Sequence, residues 1–185
     1  MGTTYFKRYR MELNLDNFAV QDFVLPEGYE VLPWSDSLLR AHAIAKYEAF
    51  QWEMDANVFP CLGQRDGCYR LMQEISDRSN FVPEATWLLQ YRERDTRKPL
   101  PVGTVQGIHS DGWGAIQNLG LAKPHRGQGL GTILLSLATA GFQRIGLRKS
   151  HLEVTTDNTG ALRLYERLGY KRARTVFKAA EVAWA

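Results

Sequence analysis

One segment decides how this sequence folds: Leu119-Gly-Leu-Ala-Lys-Pro-His-Arg-Gly-Gln-Gly-Leu-Gly131, followed directly by Thr132-Ile-Leu-Leu-Ser-Leu-Ala-Thr-Ala140. A short apolar run, a turn that contains proline, three glycines at alternate positions and a helix-like apolar pattern together predict a strand, a loop and a helix. Glycine lets a loop adopt positive φ, so that its N–H groups can converge at the start of the helix. Those groups and the helix dipole favour an anion, and Arg126 adds a positive charge. The segment therefore predicts a site for a phosphate or pyrophosphate group.

Two common nucleotide-binding patterns fit these glycines poorly. A nucleoside-triphosphate loop ends in Gly-Lys-Ser/Thr, whereas Gly131 is followed by Thr132 with no lysine between them. The dinucleotide pattern G-x-G-x-x-G, counted from Gly127, would need its third glycine at Thr132. A nucleotide-dependent oxidoreductase stays an open alternative because Glu153 follows the glycines at a distance suited to a ribose contact.

Two segments resemble signatures of the GCN5-related N-acetyltransferase (GNAT) superfamily. Arg126-Gly-Gln-Gly-Leu-Gly131 is similar to its R/Q-x-x-G-x-G/A pattern. Asn158-Thr-Gly-Ala-Leu-Arg-Leu-Tyr-Glu-Arg-Leu-Gly-Tyr170 matches its N-x-x-A-x-x-x-Y-E-x-x-G-F/Y pattern residue for residue. The resemblance covers about residues 28–178, and it implies an acyltransferase that uses acetyl-CoA.

The resemblance also implies roles for particular residues. The backbone near Leu119 and Leu121 would contact the thioester oxygen, and Asn158 would contact the pantetheine arm. Tyr165 would be the general acid that protonates the departing sulfur, although a tyrosine that only fills a helix face is the alternative reading. The loop and the first residues of the helix would bind the pyrophosphate: Arg126, Gly127, Gln128, Gly129, Leu130, Gly131 and Thr132.

The sequence departs from the superfamily pattern at the residue that often acts as the general base. Many members have a glutamate at the start of the fourth strand, and the corresponding residue here is Ala115. The candidates are Glu53 and Asp55, near the end of the first predicted helix, and His109, whose ordinary pKa suits a base. Each of these residues can also be interpreted without a catalytic role, the two acids as solvent-exposed side chains and His109 as a residue of a surface turn. A base that acts through water is a further alternative.

The predicted fold class is α+β. A strand over residues 5–15 precedes a strand, two helices, three strands, a helix, a strand, a helix and a strand. The resemblance implies a mixed, mostly antiparallel sheet that splays between its fourth strand, residues 115–121, and its fifth, residues 149–156. We expect residues 1–27 to form an extension with an edge strand or dimer arm, and residues 28–185 to form the acyl-CoA N-acyltransferase domain.

Composition indicates an ordinary globular protein, with 185 residues, 44% hydrophobic and 23% charged. The polar, basic segment 1–10 and the lack of a long apolar run predict a cytoplasmic protein that contacts neither membrane nor nucleic acid. Cys61 and Cys68 have poor spacing for zinc, so we expect two reduced thiols and no metal site.

The net charge of +3 is unevenly distributed. Residues 123–174 have ten Lys/Arg and three Asp/Glu, a net +7, whereas residues 13–122 have nine and fifteen, a net −6. Solvated faces of unequal charge explain this distribution, and so does an anionic cofactor on one half with a cationic substrate on the other.

The leading hypothesis is therefore direct transfer of an acetyl group from acetyl-CoA to a primary amine, and the acidic charge before residue 122 favours a small cationic molecule as the acceptor. A protein N-terminus or lysine is an alternative acceptor, because the fold does not select among them. A CoA-binding module with weak or no catalysis is an alternative from another class, since the strand glutamate is missing. The N-terminal strand makes a homodimer a further hypothesis.

Overall fold

The computed structural model describes residues 2–20, 22–94, 96 and 98–182. These residues form seven strands and five α-helices. The strands are β1 (Gly2–Asn14), β2 (Tyr29–Pro33), β3 (Phe81–Tyr91), β4 (Leu100–Ser110), β5 (Trp113–Leu121), β6 (Lys149–Thr155) and β7 (Lys171–Val182). The helices are α1 (Leu39–Phe50), α2 (Met54–Val58), α3 (Arg65–Ser76), α4 (Leu130–Arg144) and α5 (Thr159–Leu168).

The strands form one sheet in the order β2-β3-β4-β5-β6-β1-β7. Only the β5–β6 pair is parallel among the described strands, and the other neighbours are antiparallel. The predicted mixed, mostly antiparallel α+β architecture is confirmed.

Alternate residues of β4 face two different helical layers. Gly103 and Gly107 lie against α4, where Cβ atoms added to them would come within 3.2 Å of Leu134 and 2.8 Å of Phe142. Thr104 and Gln106 point the other way, and they hydrogen-bond the side chains of α1. This alternation places the sheet between α4 on one face and α1 on the other.

No helix in the described part of the chain combines the length and apolarity needed to span a bilayer.

The sheet splays at the predicted place. Strand β5 pairs with β6 only through residues 113–115, opposite residues 149–151. Further along, β5 has an extra residue relative to β4, because Gln117 pairs with Gln106 and Gly120 pairs with Thr104. Asn118, inside this bulge, has a φ of 47°. Because a bulge bends its strand, the β5 segment that ends at Leu121 diverges from β6 and opens a cleft.

The N-terminal strand is not at the sheet edge, so that part of the prediction is wrong. Strand β1 lies between β6 and β7, where Arg8 pairs with Thr155 on one side and Val176 on the other. Met11 and Leu15 are fully buried. The alternating pattern predicted a strand with one apolar face, but side-chain periodicity contains no information about how many backbone edges are paired.

The first predicted helix is two helices. Strand β2 is followed by α1, which ends at Phe50, and a new helix begins at Met54. No proline lies between them. The cause is a distant residue: Arg126 Nη2 donates to the carbonyl of Ala49 at 3.0 Å, while the Glu53 N–H bonds the carbonyl of Phe50 instead. A continued helix would have paired the Ala49 carbonyl with that N–H group.

Candidate active site

A cleft of about 530 Å³ lies where β5 and β6 diverge. Its walls come from the ends of α1 and β5, the glycine loop, the start of α4, strand β6 and helix α5. Most of the predicted site residues line it: Glu53, Leu119, Leu121, Arg126, Gly127, Gly129, Leu130, Gly131, Thr132, Asn158 and Tyr165. The topology therefore brings together segments that are far apart in the sequence.

The glycine loop lines the cleft, and the N–H groups of residues 127–129 have no hydrogen-bond partner among the described residues. Gly127 and Gly129 have φ values of 78° and 77°, and a Cβ added to either would meet no atom within 4 Å. The loop therefore needs glycine here for its backbone conformation. The α4 ladder begins with the Ile133 N–H bonded to the Gly129 carbonyl at 3.2 Å, and no side chain caps the helix among the described residues. The N–H groups of the first turn are thus available to an anion.

Arg126, which we expected to bind the pyrophosphate, donates hydrogen bonds to three protein oxygens. Its Nε donates to the carbonyl of Leu121 at 2.9 Å, and its Nη1 donates to Glu53 Oε1 at 2.7 Å. With the Ala49 bond, the guanidinium ties the end of β5 to the α1–α2 junction. Arg126 lines the cleft, and three of its five N–H groups donate to protein oxygens, so it orders the cleft wall. Its contact with a phosphate stays a prediction.

The outer side of the loop is tied to β2. The hydroxyl of Tyr29 hydrogen-bonds His125 Nδ1 at 2.7 Å and accepts from Gln128 Nε2 at 3.1 Å. The Gln128 side chain therefore points away from the cleft, although its backbone belongs to the loop. Burial lowers the pKa of His125, so the ring is neutral near pH 7 and acts here as a structural hydrogen-bonding group.

Helix α5 supplies the two residues that the second signature singled out. The Asn158 side-chain oxygen accepts from the Ala161 N–H at 3.2 Å and caps the helix, which leaves its amide nitrogen as a donor toward the cleft. Tyr165 is buried at the base of the cleft. Burial, and after it the neighbouring Asp55 carboxylate, raise the pKa of Tyr165. The phenol therefore keeps its proton at neutral pH.

The two acids proposed as bases have different surroundings. Glu53 is paired with Arg126 and precedes α2, outside any helix. Asp55 lies in the first turn of α2, with one carboxylate oxygen 3.8 Å from Arg8 Nη1. Burial raises the pKa of Asp55, whereas Arg8 acts in the opposite direction and Glu53 adds to the rise.

His109 lies away from the cleft. It pairs with Gly114 at the end of β4 where β5 and β6 are still joined, whereas Gly103 pairs with Leu121 at the open end. The His109 backbone exchanges hydrogen bonds with Asn80, at 2.9 Å and 2.7 Å. The sequence placed His109 near the turn correctly, but the turn is at the wrong end of the strand for a base.

Three charged residues at the site were missed from the sequence, and a fourth, Glu153, was considered only as a ribose contact. Arg163 and Arg167 are one helical turn apart on α5, and both line the cleft. Their spacing was a usable signal, because residues i and i+4 share a helix face. Glu153 also lines the cleft, and Arg8 reaches toward it from β1. No local pattern predicts the approach of Arg8, since its strand is separated from β6 by most of the chain.

Comparison with known proteins agrees with this geometry. The model of the acetyltransferase (GNAT) family matches residues 42–170. The chain is similar to a mycothiol acetyltransferase of Geodermatophilus obscurus, with 39% identity over 71 residues, which are 38% of this chain and 21% of that protein. It is also similar to N-alpha-acetyltransferase MAK3 of Arabidopsis thaliana, with 36% identity over 80 residues, 41% of this chain and 42% of that protein.

Among solved structures, a GCN5-related N-acetyltransferase from Sphaerobacter thermophilus superposes with a TM-score of 0.68 and 25% identity, covering 96% of this chain and 52% of that chain. The chain thus spans less than half the length of these two curated relatives and about half of that solved chain. Because the family model matches well over half of the sequence and the fold agrees with it, the chain belongs to the acetyltransferase (GNAT) family.

Proposed function

We propose that this protein transfers an acetyl group from acetyl-CoA directly to a primary amine of a small cationic molecule. The observation that carries the proposal is the meeting, in one cleft, of a glycine loop with free N–H groups, an unpaired strand edge and the protonated phenol of Tyr165. Each of these features suits a different part of an acyl-CoA thioester.

The residues of the cleft fit an acyl-CoA. The loop N–H groups and the first turn of α4 suit a pyrophosphate. Beyond Ala115, the β5 backbone has no pairing with β6 among the described residues, and its N–H and C=O groups suit the amides of a pantetheine arm. The cationic side chains of Arg163 and Arg167 add attraction for phosphate.

The chemistry requires a proton donor for the departing thiolate and donors for the carbonyl oxygen. The thioester supplies an activated acyl carbon. The Tyr165 phenol gives its proton to sulfur, and the β5 backbone near Leu119 and Leu121 supplies the contact to the carbonyl oxygen. Neither step needs an intermediate bound to the protein, which supports direct transfer.

The proposal also specifies the acceptor, a small cationic amine. The names of the two curated relatives refer to mycothiol and to N-alpha acetylation, so the family does not select between a small molecule and a protein N-terminus. The acids that line the cleft, Glu53, Asp55 and Glu153, favour a cationic acceptor. A CoA-binding module with weak catalysis is the alternative that turnover measurements must address.

Calorimetric titration with CoA tests the cofactor site. Gly129→Glu should abolish CoA binding, because it places bulk and negative charge at the helix N-terminus. Gly112→Glu is a matched control, since Gly112 has the same φ of 77° and equally open surroundings but lies in the β4–β5 turn. If both variants bind CoA like the unmodified protein, the loop is not the phosphate site and the proposal fails.

Turnover on a panel of amines tests the chemistry. We expect acetylated product and CoA release in equal amounts. Tyr165→Phe should lower kcat by about 10²-fold or more, with little change in CoA affinity, because it removes the proton donor and leaves the phosphate contacts. CoA binding without acetylation of any amine would support the binding module instead.

A further inference from the structure

We infer that Asp55 and Glu153 form the acceptor subsite, which binds the ammonium group of a cationic amine, and that Arg8 of the N-terminal strand is the positioning residue behind both carboxylates. The inference rests on the proposed function and specifies its substrate class. Arg8 lies outside the part of the sequence that the family model matches.

Arg8 lies between the two carboxylates. Its Nη1 is 3.8 Å from Asp55 Oδ1, and its Nε is 3.8 Å from Glu153 Oε2. Both distances allow ion pairing but are too long for hydrogen bonds. The hydrogen bonds of the guanidinium go to β6 instead, from Nη2 to the Glu153 carbonyl at 2.9 Å and from Nη1 to Thr155 Oγ1 at 3.4 Å.

Two consequences follow from this arrangement. Arg8 Nε is buried without a hydrogen-bond partner among the described residues. Likewise, no described residue donates a hydrogen bond to the carboxylate of Asp55 or Glu153. The oxygens of both acids are therefore free to accept the N–H groups of a ligand, while Arg8 stabilises their negative charge from behind.

The accessibility of the three side chains determines what a ligand can touch. The side chains of Asp55 and Glu153 are 20% and 44% exposed, and both line the cleft. The Arg8 side chain is only 7% exposed. The ring of Phe59 covers its guanidinium, with the centroid 5.1 Å from Cζ, and Lys178 Nζ lies 5.7 Å from the same ring. A ligand in the cleft therefore meets the carboxylates of Asp55 and Glu153 rather than the guanidinium of Arg8.

Charge balance then favours a cation. Glu53 is paired one-to-one with Arg126 at 2.7 Å. Arg8, in contrast, faces two carboxylates, which together carry one more negative charge than Arg8 balances. A single ammonium group restores the balance, whereas an acceptor with a carboxylate beside its amine adds repulsion.

The two acids have separate tasks in the reaction. Asp55 is the proton acceptor, because its carboxylate lines the cleft beside Glu153 and accepts no hydrogen bond from a described residue; burial also raises its pKa. It takes one proton from the ammonium, and the resulting amine forms the N–C bond to the acyl carbon as the C–S bond breaks. Tyr165 gives its proton to the thiolate, the nitrogen of the new amide loses its second proton and so restores the Tyr165 phenol, and Asp55 releases its proton to solvent. Glu153 holds the ammonium before the first proton is lost and the neutral amine afterwards.

A binding measurement tests the subsite without turnover. Ligand-observed NMR with butylammonium and butyrate, on the whole protein with and without CoA, should show binding of the cation only. Asp55→Asn combined with Glu153→Gln should abolish that binding. Glu166→Gln should not, and it is a matched control because Glu166 is also 44% exposed but is paired with Arg172 outside the cleft. Equal binding of butyrate, or butylammonium binding that survives the double substitution, overturns the inference.

Kinetics separate the three roles. Asp55→Asn should lower kcat by about 10²–10⁴-fold, as expected for loss of a general base. Glu153→Gln should raise KM for the amine about tenfold, the effect of roughly one weakened charged contact, with little change in kcat. Neither substitution should change CoA affinity.

The role of Arg8 has its own readout in the pH profile. Arg8→Gln should move the acidic limb of kcat/KM to higher pH, because Arg8 lowers the pKa of Asp55 against the effects of burial and Glu53. Arg8→Lys keeps the charge and should restore the profile. A purely structural role predicts lower stability in both variants and an unmoved limb.

The possible failures are distinguishable. If the unmodified protein does not bind CoA, the proposed function is wrong. CoA binding and amine acetylation that are unaffected by Asp55→Asn and Glu153→Gln would refute only the acceptor subsite.

Discussion

The buried lysine of α1 should make the stability of the protein rise with pH above neutrality. Lys46 is fully buried, and its Nζ donates to Gln106 Oε1 at 2.7 Å, with no carboxylate paired to it among the described residues. Burial lowers the pKa of Lys46 from 10.5 to about 7, although the nearby thiols of Cys68 and Cys61 act in the opposite direction. The folded protein therefore releases this proton at a much lower pH than the unfolded chain does.

The magnitude follows from linkage. Between about pH 7 and pH 10.5 the unfolded state binds more protons than the folded state, so the free energy of unfolding increases with pH. A difference of one in pKa corresponds to about 1.4 kcal/mol, which makes the expected gain about 1.5 kcal/mol between pH 7 and about pH 8.5. The upper limit avoids Cys68, a thiol with an ordinary pKa of 9.0 that burial raises to about 11, so its ionisation would act in the opposite direction.

Urea unfolding at several pH values, compared with Lys46→Met, measures the effect. The absolute stability of the variant is a poor readout, because Gln106 loses its partner and that loss costs about 1–3 kcal/mol. The pH dependence is the informative quantity: the variant should lack the gain of about 1.5 kcal/mol that the unmodified protein shows. Parallel curves for the two proteins would refute the reasoning and would place an anionic partner or water beside Lys46.

Three further substitutions have defined outcomes. Asn158→Asp should keep the stability of α5, since aspartate also caps a helix, but should weaken CoA binding in calorimetry by removing the amide donor; equal affinity would contradict the role of that donor. Tyr170→Phe should destabilise the protein by about 1–3 kcal/mol in urea unfolding, because the buried hydroxyl bonds Ser150 Oγ at 2.8 Å and Thr139 Oγ1 at 3.2 Å. An unchanged unfolding midpoint would show that these hydrogen bonds do not stabilise the protein. Gly141→Ala should cost about 2 kcal/mol or more and lower Tm, because its Cβ would overlap the main chain of β3; an unchanged Tm would mean that α4 shifts freely.

The helices and strands whose boundaries are set by nearby residues were predictable from the sequence. Strand β2 is the short run Tyr29–Pro33, which ends at a proline that cannot donate to the sheet. Helix α5 begins after the Asn158 cap and ends at Gly169, which has a φ of 103° that suits glycine. The strand, loop and helix around Gly129 also formed as expected. In each case the deciding contacts lie within a few residues of one another.

The features that the sequence did not predict depend on partners far along the chain. The break after Phe50 needs Arg126, which takes the Ala49 carbonyl that α1 would otherwise use. The charge of Arg126 alone did not indicate that three of its N–H groups bond protein oxygens. Arg8 reaches Asp55 only because β1 inserts beside β6. Neither hydrophobic periodicity nor motif spacing indicates which residues from distant parts of the chain will be in contact.

The insertion of β1 between β6 and β7 has a consequence for how the protein folds. Arg8 and Thr155, which face each other across β1 and β6, are 147 residues apart in the chain. Closing so long a loop is slow, and ribosomal synthesis completes β1 long before its two partners exist. Until they do, the edges of a strand with alternating apolar residues are open to other chains. Half of the sheet, and the base of the cleft with it, can therefore assemble only as a late step of folding.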